Sequence, residues 1–155
     1  MRIRSILSLA VSAVAAMALA TPAQAADDGS YFIRDVRGGA CLAGGDGPVG
    51  GHVEPCNPGT VWEIHNQGNG LARIVEARGE GRCLALSPVR IYPPAVWVDQ
   101  CGNQPDQWSI QDTGDGEPVV IALGRGEFGF LSTQGDGRAV LLPEARPQWI
   151  LQRLG

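Results

Sequence analysis

Lysine is missing altogether, so arginine alone carries the positive charge. Acidic residues outnumber it 16 to 12, and a net negative surface repels phosphate backbones and anionic lipid. Nucleic-acid and membrane-surface partners are therefore not expected. Histidine is scarce: His52 and His65 stand apart on strand-like segments with no obvious partner, and with four cysteines they match no zinc spacing. The Asp-Gly pairs lack the successive carboxylates of a calcium loop and read as turns. No metal or other cofactor is expected, and the chain does not read as an enzyme. Long apolar runs are lacking too, apart from Ile6 to Ala20. That run follows Arg2 and Arg4 and ends at Ala23-Gln24-Ala25, the pattern of a secretory signal peptide covering residues 1–25, and it is too short for a stable membrane span.

Setting residues 1–25 aside leaves 26–155, about the length of one domain. The remaining 10 basic and 16 acidic residues give a formal charge of −6. A secreted, extracellular monomer is the expectation. Four cysteines in such a chain, Cys41, Cys56, Cys83 and Cys101, imply two disulfides, and their number alone allows three connectivities.

An internal repeat carries the reading further. "IRDVRGGACL" (33–42), "IVEARGEGRCL" (74–84) and "VIALGRGEFGFL" (120–131) share an apolar start, a glycine-rich turn and a Cys-Leu or Phe-Leu end. Roughly twenty residues after each comes a tryptophan, in "VWEI", "QWSI" and "QWIL". Repeats of about 31–70, 71–117 and 118–155 follow. Short apolar segments such as "HVEP", "VWVDQ" and "AVLLP", parted by turn residues, have no helical periodicity and predict an all-β fold. Asp46-Gly47, Asn69-Gly70, Asp115-Gly116 and Asp136-Gly137 are hairpin-type pairs. By equivalence of the copies, Cys41 should bond Cys56 and Cys83 should bond Cys101. Copy three has Phe130 and Ala145 there, an apolar pair expected to fill the same volume. Trp62, Trp108 and Trp149 are expected in the core, one large aromatic per repeat.

Three copies of Cys-Leu, a second Cys and a Gln-Trp or Val-Trp make the chain resemble the ricin-B-type β-trefoil. The resemblance implies three pseudo-symmetric four-stranded repeats forming a six-stranded barrel capped by three hairpins, over Tyr31 to Leu154. It also implies a sugar site per lobe, with an Asp two residues after the first Cys, an aromatic two before the second, and an Asn and Gln ahead of the Trp. The Asp positions here hold Ala43, Ala85 and Ser132, and the aromatic positions hold Glu54, Asp99 and Pro143. The amide positions hold Gly59 and Thr60, Pro105 and Asp106, Arg146 and Pro147. Gln107 and Gln148 sit directly beside their Trp, one residue off the family's Gln-x-Trp. No lobe keeps the set, so a glycan-binding lectin would need altered sites, with Tyr92 or Trp97 as stacking rings.

The copies differ at one hairpin tip. Copies one and three carry a Gly-Asp-Gly turn at mid-hairpin, whereas copy two has "SPVRIYPP" and a Cys spacing of 18 rather than 15. A surface tip favours Gly, Asn and Asp; this one places Val89, Ile91 and Tyr92 around Arg90. Pro88, Pro93 and Pro94 restrict the chain on both sides, so a stiff, extended, convex segment is expected. The tip resembles the reactive loops of Bowman-Birk inhibitors, with a basic residue followed after two positions by Pro-Pro, and Arg-Ile resembles the scissile pair of Kunitz-type trefoil inhibitors. That resemblance implies a trypsin-like serine protease as partner, Arg90–Ile91 as reactive bond, and Pro88 to Pro94 as the reactive loop.

Overall fold

A computed structural model describes residues 26–79, 81–112 and 118–155. The signal-peptide reading of residues 1–25 and the Asp115-Gly116 turn lie outside the described residues. Twelve strands are present among the described residues: β1 Gly29–Asp35, β2 Cys41–Ala43, β3 His52–Glu54, β4 Val61–Asn66, β5 Ala72–Glu76, β6 Arg82–Leu86, β7 Val96–Gln100, β8 Gln107–Gln111, β9 Val120–Leu123, β10 Phe130–Thr133, β11 Ala139–Leu142 and β12 Trp149–Arg153.

Side chains alternate faces along a strand, so every second residue of the barrel strands points inward. Tyr31 and Ile33 of β1, Trp62 and Ile64 of β4, and Ala72 and Ile74 of β5 are all buried. So are Trp108 and Ile110 of β8, Ile121 of β9 and Trp149 of β12. Each fully buried aliphatic of this kind contributes roughly 1.5–3 kcal/mol. Antiparallel pairing runs β12–β1–β4–β5–β8–β9. A bridge between Val119 and Trp149 closes the ring, with Val119 N donating to the Trp149 carbonyl at 2.7 Å. Closure removes the open sheet edges that invite aggregation.

The hairpins β2–β3, β6–β7 and β10–β11 cap one end, each joined to its preceding barrel strand by a single register pair: Arg34 with Cys41, Val75 with Cys83, Ala122 with Phe130. They also bind one another. Gly51 N donates to the Val96 carbonyl at 3.0 Å, Ala139 N to Gly51 at 2.9 Å, and Leu141 N to Pro94 at 2.8 Å. A Cβ at Gly51 would come within 2.6 Å of the Val96 carbonyl oxygen, so this junction requires glycine. The architecture is a β-trefoil.

The repeated Leu and Trp are both core residues, Leu42, Leu84 and Leu131 through their fully buried side chains and each Trp through burial and a bond to its own hairpin's backbone. Trp62, Trp108 and Trp149 donate from Nε1 to the carbonyls of Leu42, Leu84 and Leu131, each at 2.8 Å. Each indole is buried and each N–H is satisfied within its own repeat, which locks the fourth strand against the hairpin. The disulfides are Cys41–Cys56 and Cys83–Cys101. Copy three departs from expectation: Ala145 is exposed and Phe130 only half-buried. Position 145 lies on the surface in any case, since its disulfide-bonded counterpart in copy one, Cys56, is exposed as well. The Phe130 ring lies instead over Gly126, where a Cβ would sit 3.1 Å from its Cζ.

Candidate functional site

The distinctive tip springs from the end of the β6–β7 hairpin and is tied to all three copies. Ser87 N donates to the Ala95 carbonyl at 2.9 Å and closes the neck. The buried Ser87 hydroxyl donates to the Pro48 carbonyl of copy one and accepts from Val89 N at 3.2 Å. The Pro94 carbonyl accepts from Leu141 N of copy three, beside an Ala95–Val140 bridge. Between these anchors Pro88, Val89, Arg90, Ile91 and Tyr92 are exposed, while Pro93 and Pro94 are half-buried; the Tyr92–Pro93 peptide is cis.

The expected extended course is not what forms. Ile91 N donates to the Val89 carbonyl at 3.1 Å, a three-residue turn centred on Arg90, and with no positive φ outside glycine it is the inverse form. The reason is geometric: Ser87 and Ala95 are hydrogen-bonded to each other, so the seven residues between them must reverse direction. The chain bends at Pro88–Val89 and again at Tyr92–Pro93, so the reversal falls at the prolines on either side of Arg90 and Ile91. Arg90 thus stands at the apex. Among the described residues no carboxylate lies within ion-pair distance of it, whereas Arg73, Arg82, Arg138 and Arg146 each hold one.

Beside the tip runs an open groove of about 270 Å³, lined by Tyr92 and Pro94 from the tip and by Glu127, Phe128, Leu142 and Pro143 from copy three. Tyr92 is 81% and Phe128 42% exposed. Phe128 sits in the β9–β10 turn, held by hydrogen bonds from Leu123 N to Gly129 O (3.0 Å), Gly129 N to Gly126 O (3.1 Å) and Arg125 N to Glu127 Oε2 (2.6 Å). Gly124, Gly126 and Gly129 all adopt positive φ, which lets so short a turn fold back and push Phe128 outward. Phe128 was not singled out by sequence; the signal was an aromatic inside a glycine-rich turn, Gly124 to Gly129.

The family-type sugar positions are committed elsewhere. Ala43, Ala85 and Ser132 are buried, and the residues across the strands from them are His52, Trp97 and Val140. Trp97 is half-buried on β7, whereas Tyr92 on the tip is exposed. Thr60 is buried and closes a capping box with Asn57. Asp106 accepts from Gly102 N at 2.6 Å and faces Arg73 at 3.4 Å. Gln107 accepts from Asn69, and Gln148 is buried.

The histidines are not isolated. His52 pairs with Glu54 at 3.1 Å and His65 with Glu63 at 3.3 Å, since residues two apart on a strand share a face. Burial opposes the charge on His52, but its bonds to the Gly50 carbonyl and Glu54 outweigh this and raise its pKa above the usual value. A buried polar cluster also escaped the sequence. Asp35 accepts from Thr133 at 2.6 Å and from Gln148 at 3.2 Å, and Arg37 lies 3.6 Å away. Burial disfavours the Asp35 carboxylate, yet these donors and the Arg37 amide hold its pKa below the ordinary range.

No family model and no curated protein matches the chain. Among solved structures it is similar to a designed threefold-symmetric protein, ThreeFoil, at 20% identity and a TM-score of 0.66, covering 82% of this chain and all of that one. It is similar at the same identity and TM-score to a salivary protein from Culex quiquefasciatus of the Cysteine and Tryptophan-Rich family, over 86% of this chain and 99% of the other. A protein titled BEL beta-trefoil aligns at 16% identity and TM-score 0.64, over 86% and 98%. At these identities the likeness speaks for the fold.

Proposed function

We propose that the protein is a secreted inhibitor of trypsin-like serine proteases, presenting Arg90 to the enzyme's acidic specificity pocket with Arg90–Ile91 as the bond offered to it. The observation that carries this reading is an exposed guanidinium at the apex of a tip whose neck is bonded to three repeats, with no acidic partner of its own among the described residues. Guanidinium matches a carboxylate bidentately, and a buried pair of this kind is the sort of anchor that dominates an interface. A tied neck lowers the ordering entropy that a flexible peptide loses on binding. Two disulfides accord with an oxidising, extracellular setting. The lectin reading has no comparable support at the family-type positions, where buried alanines and Ser132 present nothing to a sugar.

Titrating trypsin with residues 26–155 and following hydrolysis of a small amide substrate tests the proposal. Equimolar inhibition is expected, with Arg90→Ala removing most of it. No inhibition at micromolar protein overturns the reading.

A further inference from the structure

The tip alone is too small for a stable complex. A standard interface engages about 20–30 residues a side, several times what Pro88 to Pro94 supply. The surface that completes it must be continuous with the tip. Among the described residues the large exposed apolar side chains are few: Val89, Ile91 and Tyr92 on the tip, Val49 next to the Pro48 that anchors Ser87, Phe128 across the groove, and Val36. Val36 alone belongs to a different recess, with Arg37 and Arg146. Solvated apolar side chains gathered beside one tip mark an interaction surface.

We infer that the groove between Tyr92 and Phe128 is the second half of the Arg90 interface, receiving an apolar side chain from the rim of the enzyme's acidic pocket. This rests on the protease-inhibitor reading. The groove is preformed from both sides: the Pro94 carbonyl is bonded to Leu141 N, and a Cβ on Gly129 would touch the Leu141 Cβ at 3.1 Å, so tip and Phe128 turn both pack on β11. Apolar side chains of Tyr92, Phe128, Leu141, Leu142 and Pro143 make up most of its lining, with Glu127 and backbone groups supplying the polar remainder. Arg90 supplies charge recognition, and the groove supplies apolar area on a backbone already held in place by the bond to β11.

The test measures inhibition constants against trypsin for the unmodified protein and for Phe128→Ser, Val36→Ser and Arg90→Ala. Phe128→Ser should weaken inhibition about tenfold or more, as a truncated anchor does, with Val36→Ser within about twofold of the unmodified protein. Should Phe128→Ser lower the thermal midpoint, Pro143→Asp, which puts a charge on an exposed part of the lining, should weaken inhibition in its place. If both groove variants inhibit like the unmodified protein while Arg90→Ala fails, the groove lies outside the interface and this inference is overturned, with the Arg90 reading intact. If the unmodified protein does not inhibit trypsin, both fall together.

Discussion

Thr133 donates a 2.6 Å hydrogen bond to Asp35 across 98 residues of sequence, joining copy three to copy one in the interior. Gln148 bonds both members, to Asp35 at 3.2 Å and Thr133 at 2.7 Å. Around the threefold axis the positions equivalent to Asp35 are Glu76 and Leu123, and those equivalent to Thr133 are Gly44 and Leu86. Glu76 fills the space above Gly44, where a Cβ would meet its Oε2 at 2.6 Å. Each junction between copies is thus filled by different chemistry. Asp35→Ala leaves the Thr133 hydroxyl proton without its acceptor and removes one of the two Gln148 amide bonds, which should cost about 2–3 kcal/mol in urea unfolding at neutral pH.

The same cluster should make stability acid-sensitive. Because the folded pKa of Asp35 lies below its ordinary value of 3.8, its contribution is complete above that value and is lost as pH falls through the depressed one. Comparing urea midpoints at pH 6 and pH 3, the loss on acidification should be smaller in Asp35→Asn than in the unmodified protein.

His52 acts with the opposite sign. Its folded pKa is raised above 6.5, so the stabilisation is present below that value and disappears as pH rises through the folded one. Thermal midpoints at pH 5.5 and pH 8.5 should differ more in the unmodified protein than in His52→Gln, after the contribution of the other groups is subtracted through the variant.

Ser87→Ala removes the tether between the copy-two tip and Pro48 and the bond to Val89 N. Global stability should fall by about 1 kcal/mol. Amide exchange at Val89 and Ile91 should quicken, and inhibition should weaken with Arg90 still in place.

Replacing Cys83 and Cys101 together by alanine opens a loop of 18 residues and should cost about 3 kcal/mol on the chain-entropy account. The equivalent change at Cys41 and Cys56 should cost a similar amount but leave the tip's affinity less affected, because only the first pair brackets it. Denaturation and inhibition measured on both variants separate the two effects.

What was legible in the sequence is what repeats. Leu and Trp recur in every copy because both side chains are buried in the core and each Trp N–H reaches a backbone carbonyl of its own hairpin, so period, disulfides and core followed together. What escaped was either unrepeated or distant in sequence. The turn at Arg90 depends on the Ser87–Ala95 neck, and the Asp35 cluster on contacts 98 and 113 residues apart. Ala145 aligns with Cys56 and Cys101, which are themselves exposed and half-buried, so the position has no buried volume to fill. The His–Glu pairs were readable from strand alternation, had residues two apart been compared.

β1 and β12 lie side by side in antiparallel register, from Tyr31 beside Arg153 to Asp35 beside Trp149. Asp35 leads toward the capping hairpins, so Gly29 and Arg153 mark the opposite pole. A tag, bead or carrier attached at Gly155 would therefore hold the molecule by its base and leave the Arg90 apex facing outward. Immobilised or fused forms should retain free access to that apex.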